Sequence, residues 1–182
     1  MAGTAESGWA ASTVGLFRDA VWVVTVDDGT DPEVWQAVAD LALDCGSVVV
    51  PAESAEHDAA VARISHLPHV LAEALALAGA AGGDLALGLA AGSFRDGTRV
   101  AATAPALVDA MCEANASALL VALDETLAVL SAAREQLADG STAFADPIMD
   151  ILETWTGYLL KYGNDPGEQL CTDDFAGHLA HN

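Results

Sequence analysis

The chain is poor in basic residues, with 6 Lys and Arg against 27 Asp and Glu and a formal net charge of −21 over 182 residues. Such a charge argues against nucleic acid and anionic membrane surfaces as partners. It also repels small anions at long range, so a site for one must be locally basic. Three of the six basic residues lie between Arg63 and Arg99, and we expect a site for a small anion there.

Aromatic residues are also scarce, at 5% of a chain that is 53% hydrophobic. The hydrophobic residues are largely Ala and Leu, which favour a helical core over a β-sandwich. Cysteine is rare and shows no Cys-x-x-Cys spacing, so we expect small buried thiols in a reducing cytoplasm rather than disulfides. The N-terminus has no basic start followed by an apolar core, and the most apolar span, residues 71–91, is interrupted by acidic residues and glycines. The sequence therefore predicts neither a signal peptide nor a membrane span.

The first fifty residues predict one βαβ unit. Residues 20–26 form a β-branched run typical of a strand. Asp31 and Pro32 have the N-cap and first-turn chemistry of a helix that ends at Gly46. A second strand at residues 47–50 should stop at Pro51. Two parallel strands do not form a stable sheet alone, so this unit is expected to join a larger sheet.

The rest of the chain predicts helices separated by Gly and Pro. Expected helices cover residues 55–78 (kinked at Pro68), 84–90, 94–102, 105–113, 115–138 and 147–161, with a flexible break at 79–83 and a tail from Gly163. Three regions follow: a βαβ segment at residues 1–52, a helical domain at 53–162 and a tail at 163–182.

His66 and His69 are the first candidates for chemistry. They are three residues apart and share one helix face. Pro68 between them cannot donate to the carbonyl of Ile64, so backbone polar groups should be free near both imidazoles. Such a pair suits proton handling or the binding of a hydroxyl or carboxylate. Spacing alone favours the simpler interpretation of two half-buried structural histidines, and His57, nine residues earlier, should face the opposite side.

No metal site is predicted from these residues. Zinc needs three or four ligands, and no third ligand stands at a fitting distance along the chain from the histidine pair. The tail contains Cys171, His178 and His181, but we interpret them as parts of a terminal segment of mixed polarity.

Arg99 is the second candidate, because a guanidinium stays charged and binds a carboxylate through two parallel hydrogen bonds. Arg95 lies four residues earlier and shares a face with it on a helix. Asp96 is placed to pair with Arg99 and hold its plane. A solvated surface ion pair of little energetic value is the alternative.

Several spaced motifs resemble the helical domain of the prephenate (or arogenate) dehydrogenase family. The motifs are His57-Asp58, Ser65-His66-Leu67-Pro68-His69 and Gly92-x-Phe94-x-Asp96-x-Thr98-Arg99, and the Met1-Ala2-Gly3-Thr4 segment resembles one late in that family's nucleotide-binding domain. The resemblance covers about residues 1–138. It implies a mainly α fold: a helical dimerisation domain of the 6-phosphogluconate dehydrogenase C-terminal type, preceded by a short βαβ remnant of a Rossmann-like domain.

The same resemblance implies roles for individual residues. Arg99 would grip a substrate carboxylate, His66 and His69 would line the substrate pocket, and Gly92 and Asp96 would lie at its mouth. Thr4, His57, Ser65 and Arg95 would be supporting residues. The family decarboxylates prephenate or arogenate oxidatively with NAD or NADP on the way to tyrosine.

Departures from the family limit what the chain is expected to do alone. The family's catalytic histidine directly precedes the Met-Ala-Gly segment, so it is expected upstream of Met1, together with the glycine-rich turn for the cofactor. We therefore expect no NAD or NADP binding by this chain, a homodimer through the helices and a cytoplasmic location. A different interpretation is a non-redox helical dimer, a binding or assembly module that keeps the aromatic-acid pocket without the cofactor domain.

Overall fold

The computed structural model describes residues 8–9 and 12–140. The chain divides into two compact units, Met1–Asp124 and Glu125–Asn182. The first unit contains one βαβ segment followed by short and medium helices, which confirms the predicted mainly α fold with a small parallel sheet. The predicted helix at residues 147–161 and the predicted tail lie outside the described residues.

The βαβ segment consists of β1 (Val21–Thr25), α1 (Pro32–Asp44) and β2 (Val48–Ala52), and its strands pair in parallel as predicted. The prediction that Pro51 stops the second strand is wrong, because Pro51 pairs with Val24 inside β2. The N–H of Val48 donates to the carbonyl of Ala20, just before β1, and the carbonyl of Ala52 accepts from the N–H of Val26, just after β1. The backbone N–H of position 51 would therefore point away from β1, so proline loses no ladder bond there.

Helix α1 begins with the predicted N-cap residue, Asp31, and the predicted first-turn proline, Pro32. The Asp31 carboxylate accepts from the N–H of Glu33 at 2.8 Å, and Pro32 fills the first helical position. The indole of Trp35 donates to the Val24 carbonyl at 3.3 Å. The small residues Ala39 and Ala42 are buried. Helix α1 therefore packs closely on the sheet.

A long helical stretch carries the candidate histidines. It consists of α2 (Ser54–Val61), a π-helical segment (Ala62–His66) and α3 (Leu67–Ala81). In the π-helical segment, the N–H of Leu67 reaches back to the carbonyl of Ala62. The irregularity falls directly before Pro68, where the missing proline N–H had predicted a disruption.

The later helices follow the predicted order with shifted ends. They are α4 (Gly83–Gly88), α5 (Gly92–Thr98), α6 (Pro105–Ala114) and α7 (Ala116–Ala138). The predicted helix over residues 94–102 is split, since a 3-10 segment, Arg99–Ala102, follows α5. The predicted break from Gly79 is also wrong: α3 continues to Ala81, and the turn falls at Gly83, whose φ is +71°.

Two glycines explain how α5 and α3 come together. A Cβ on Gly79 would stand 2.4 Å from Cζ of Phe94, and a Cβ on Gly97 would stand 2.8 Å from Cδ2 of Leu75. Gly79 is therefore a packing residue on a continuous helix and not a hinge. The 3-10 segment that contains Arg99 also packs against α3.

Two helical stretches are long and apolar enough to cross a membrane by length and composition, which is weak evidence in itself. They are Ser54–Ala81 and Ala116–Ala138. In the most apolar 18-residue window of each, 22% and 11% of the residues, respectively, are buried. Many large apolar side chains of α7 are exposed, including Leu120, Val121, Leu127, Val129 and Leu130. Exposed apolar surface of this extent among the described residues is typical of a surface that packs against another element or chain.

Candidate functional site

The π-helical segment places His66 and His69 in different hydrogen-bonding environments. His66 Nδ1 lies 3.3 Å from Nδ2 of Asn115. His69 Nδ1 lies 2.8 Å from the carbonyl oxygen of Ser65. Both rings are half-buried, and neither Nε2 atom has a hydrogen-bond partner among the described residues.

Asn115 belongs to this site, and sequence reasoning missed it. The residue is only 8% exposed and follows the end of α6. Its side-chain nitrogen donates to the carbonyl of Asp58 at 2.8 Å as well as reaching His66. From the sequence, a lone Asn between two predicted helices indicates only a helix start. The useful signal would have been the presence of an amide between two apolar helices, where a buried polar group needs partners.

The π-helical segment also changes the position of His57. On an ideal α-helix, His57 and His66 would face opposite sides, but a π-helical segment turns less per residue and brings the two faces closer. His57 Nδ1 lies 3.1 Å from the carboxylate of Asp58. The charges of both residues act on His66, so His57 and Asp58 are part of its electrostatic surroundings.

The pKa of His66 lies below the ordinary histidine value. Burial of the ring is the largest cause, and the neighbouring His69 and His57 add to it, whereas the Asp58 carboxylate opposes it. His66 is therefore neutral at neutral pH, with one ring nitrogen protonated and the other bare. This state suits hydrogen bonding to a ligand more than charge pairing.

This pKa has a consequence for stability. As the pH falls, the unfolded chain takes up a proton on His66 before the folded chain does. The free energy of unfolding should therefore fall as the pH drops through the ordinary histidine range, and it should be fully present above that range. Thermal unfolding of the wild type and of His66→Gln, at about pH 8 and about pH 5, measures this. We expect a smaller difference between the two pH values in the variant. An equal difference would contradict the assignment.

Arg99 begins the 3-10 segment after α5 and is exposed. The predicted ion pair between Asp96 and Arg99 is wrong, because these two side chains form no ion pair in the described part of the chain. Asp96, Arg95 and Gly92 are exposed as well. The Thr98 hydroxyl donates to the Phe94 carbonyl at 2.7 Å and closes the end of α5. The Arg99 guanidinium is therefore not engaged by a neighbouring carboxylate within the described part of the chain.

The remaining predicted site residues are placed as follows. Ser65 is buried in the π-helical segment, and its carbonyl binds His69. Helix α3 carries His69 and also packs against the 3-10 segment that contains Arg99. The same helix therefore contacts both the histidine pair and the segment of Arg99. Thr4 lies outside the described residues.

The loop between β1 and α1 is acidic. The loop from Val26 to Asp31 contains Asp27, Asp28 and Asp31, whose charges oppose a pyrophosphate. The N-terminus of α1, which could otherwise bind phosphate, is occupied by the Asp31 carboxylate. Hydrogen bonds from the side chain and backbone of Ser54 hold the pKa of Asp27 below its ordinary value. Asp27 therefore fastens the start of α2 to the loop.

Cysteine chemistry and metal binding find little support in the described residues. Burial raises the pKa of the Cys112 thiol, and Glu73 and Asp109 add to the effect, which keeps it protonated. The expectation of buried thiols is wrong for Cys45, which is exposed. Among residues 8–9 and 12–140, no group of three or more His, Cys, Asp or Glu is arranged to hold a metal ion. Cys171, His178 and His181 lie outside that part of the chain.

Comparison with known proteins places this helical arrangement in one family. Residues 53–155 match the family model described as the prephenate dehydrogenase dimerization domain. The chain is 35% identical over 144 residues to the cyclohexadienyl dehydrogenase of Zymomonas mobilis, covering 76% of this chain and 48% of that protein. The chain thus spans about half the length of this relative.

Solved structures show the same fold. A structure from Corynebacterium glutamicum, described as a candidate prephenate dehydrogenase, superposes with a TM-score of 0.70 at 58% identity over 75% of this chain and 45% of that one. The prephenate dehydrogenase from A. aeolicus, solved with hydroxyphenyl propionate and NAD+, gives a TM-score of 0.74 at 24% identity over 83% of this chain and 54% of that one. At that identity, the second likeness concerns the fold alone.

Proposed function

Because the chain belongs to the prephenate dehydrogenase family, whose dimerization-domain model covers residues 53–155, we propose that it forms the substrate-binding and dimerisation part of a prephenate or arogenate dehydrogenase. The observation that carries the proposal is the pair of half-buried imidazoles of His66 and His69, held at a π-helical segment with their Nε2 atoms unoccupied by described residues. Single π-helical turns occur frequently at functional sites.

Each proposed site residue has a distinct task. Arg99 binds a substrate carboxylate through its planar fork of N–H donors. His66 and His69 bind polar groups of the substrate through Nε2, and Ser65 and His57 support them. Gly92 and Asp96 lie at the mouth of the site, and Arg95 raises the local positive charge. Thr4 is proposed as a supporting residue from the family resemblance alone.

The complete enzyme would convert prephenate or arogenate to a 4-hydroxyphenyl product and carbon dioxide, with NAD or NADP as the hydride acceptor. The acidic loop at Asp27–Asp31 does not fit either cofactor. We therefore propose that the cofactor and the general base belong to residues outside 8–140. We also propose a βαβ segment at residues 1–52, a helical domain at 53–162 and a tail at 163–182; the start of the family match at residue 53 supports the first boundary.

Titration calorimetry with prephenate and with arogenate, each against the wild-type chain, tests the proposal. We expect saturable binding of at least one acid and a loss of heat on replacing both histidines with Gln. Absence of binding to both acids at millimolar concentration would contradict the substrate assignment.

Turnover separates the enzyme from the non-redox alternative. The part of the Corynebacterium glutamicum relative that this chain does not cover would be joined to this chain, and the fusion would be assayed with NAD or NADP. Substrate-dependent reduction of the cofactor supports the enzyme. Binding without turnover, in a fusion that binds cofactor, favours the non-redox module.

We further propose a cytoplasmic homodimer built from the two long apolar helical stretches. The low burial of Ser54–Ala81 and Ala116–Ala138 in one chain supports a partner that covers them, and the matching family model is a dimerization domain. Sedimentation velocity at micromolar concentration should show a dimer in detergent-free buffer. A monomer, or a chain that sediments only with membranes, would contradict this proposal.

A dimer variant provides the control. Leu127→Glu puts a charge among the exposed leucines of α7, where burial against a partner would be costly. Gln36→Glu changes charge by the same amount on the exposed side of α1. We expect dissociation with the first and a dimer with the second.

A further inference from the structure

The side-chain amide of Asn115 has a single orientation that satisfies its neighbours. The carbonyl oxygen of Asp58 can only accept a hydrogen bond, so the Asn115 atom 2.8 Å away must be the nitrogen Nδ2. The same nitrogen lies 3.3 Å from Nδ1 of His66. An amide nitrogen donates and does not accept, so this second contact requires His66 Nδ1 to be the bare, accepting nitrogen.

In His69, in contrast to His66, the hydrogen-bond partner requires Nδ1 to be the protonated nitrogen. Its Nδ1 lies 2.8 Å from the carbonyl oxygen of Ser65. A carbonyl cannot donate, so Nδ1 of His69 carries the hydrogen. In the neutral ring, its Nε2 atom is then the one with the free lone pair.

We propose that Asn115 is a positioning residue that holds neutral His66 in its Nε2–H form, so that His66 offers a donor to a ligand while His69 offers an acceptor. A group that both accepts and donates, such as a hydroxyl, complements this pair. The identity of the ligand rests on the proposed function, but the two protonation forms do not.

Burial and a backbone hydrogen bond hold Asn115 in place beside His66. The residue is 8% exposed. Its backbone carbonyl accepts the N–H of Leu119 at 3.0 Å, which ties it to the first turn of α7. Burial of the ring lowers the pKa of His66 most, His69 from α3 and His57 from α2 lower it further, and the Asp58 carboxylate from α2 opposes them. The ring is therefore neutral near pH 7, where a single protonated nitrogen matters.

Nitrogen NMR of the ¹⁵N-labelled full chain tests the proposal directly. At about pH 8 all histidines of ordinary or lowered pKa are neutral, and ring correlations report which nitrogen is protonated. We expect His66 to show a protonated Nε2 and His69 a protonated Nδ1. The signals are assigned from their loss in His66→Gln and His69→Gln. A protonated Nδ1 in wild-type His66 would overturn the proposal, and this result needs no Asn115 variant.

Two variants separate positioning from mere packing. Asn115→Asp replaces a donor with an acceptor, so His66 should shift to the Nδ1–H form and its pKa should rise. Asn115→Ala should give a mixture of both forms. His69 should keep its pattern in both variants, because its partner is the Ser65 carbonyl. A folded Asn115→Ala protein with an unchanged His66 pattern would refute the role of Asn115.

The outcome also stays separate from the proposed function. Expected protonation patterns with no binding of prephenate or arogenate would uphold the role of Asn115 and reject the substrate assignment. Binding of the acids with Nδ1-protonated His66 would do the reverse.

Discussion

Replacement of Arg99 by Lys should weaken binding of the acid substrate by roughly ten- to a hundredfold. A hydrogen bond to a charged group is worth about 1.5 to 3 kcal/mol, and Lys retains the charge but not the planar two-pronged geometry. The absence of an Asp96–Arg99 ion pair means that no described carboxylate must be displaced before the ligand binds. The measurement is the dissociation constant of prephenate or arogenate by calorimetry.

Arg63→Lys is the matched control for this prediction. Arg63 is exposed on the π-helical segment, and its guanidinium donates to the Ala59 carbonyl within its own helix at 3.2 Å. The same change of group there should alter the affinity little. Equal effects in Arg63→Lys and Arg99→Lys would mean that the planar group at position 99 makes no specific contact with the carboxylate, and Arg99 would lose its role as a clamp.

Gly79→Val should destabilise the fold and loosen the site at once. The added Cβ would overlap the Phe94 ring, which lies 2.4 Å from that position. Overpacking of this kind costs about 1 to 3 kcal/mol. Because α5 leads directly into the segment of Arg99, displacement of Phe94 should also weaken ligand binding. Chemical denaturation and ligand titration measure the two effects.

Gly88→Ala and a double variant provide the controls for Gly79. Nothing lies within 4 Å of a Cβ added at Gly88, so Gly88→Ala should be neutral or slightly stabilising, by up to about 1 kcal/mol. Combining Gly79→Ala with Phe94→Leu removes part of the ring and should recover stability relative to Gly79→Ala alone. Additive losses in the double variant would show that the two residues do not press on each other.

Local sequence rules predicted most of the secondary structure. Asp31 with Pro32 gave the start of α1, and the β-branched runs gave both strands of a parallel pair. The errors came from packing that no local rule encodes. Gly79 was predicted as part of a break, but it lies inside α3 because Phe94 occupies the space of its missing side chain. Pro51 stays in β2 because its missing N–H faces away from β1.

The candidate site was predictable in part. The spacing of His66 and His69 around Pro68 pointed to an irregular helix with free backbone groups, and the carbonyl of Ser65 does bind His69. Asn115 could not be predicted, because its partner Asp58 is far away in the sequence and is joined to it only by the fold. The Asp96–Arg99 pair was wrong because helical spacing was assumed through Arg99, where α5 gives way to a 3-10 segment.

The most direct measurement of the central claim compares two ligands on two proteins. An aromatic acid of the proposed substrate class carries a carboxylate, and the matching alcohol carries a hydroxymethyl group in its place. We predict that wild type prefers the carboxylate by roughly tenfold or more, that Arg99→Lys loses most of this preference, and that both proteins bind the alcohol equally. An equal loss of affinity for both ligands in Arg99→Lys would contradict the claim that Arg99 binds the carboxylate.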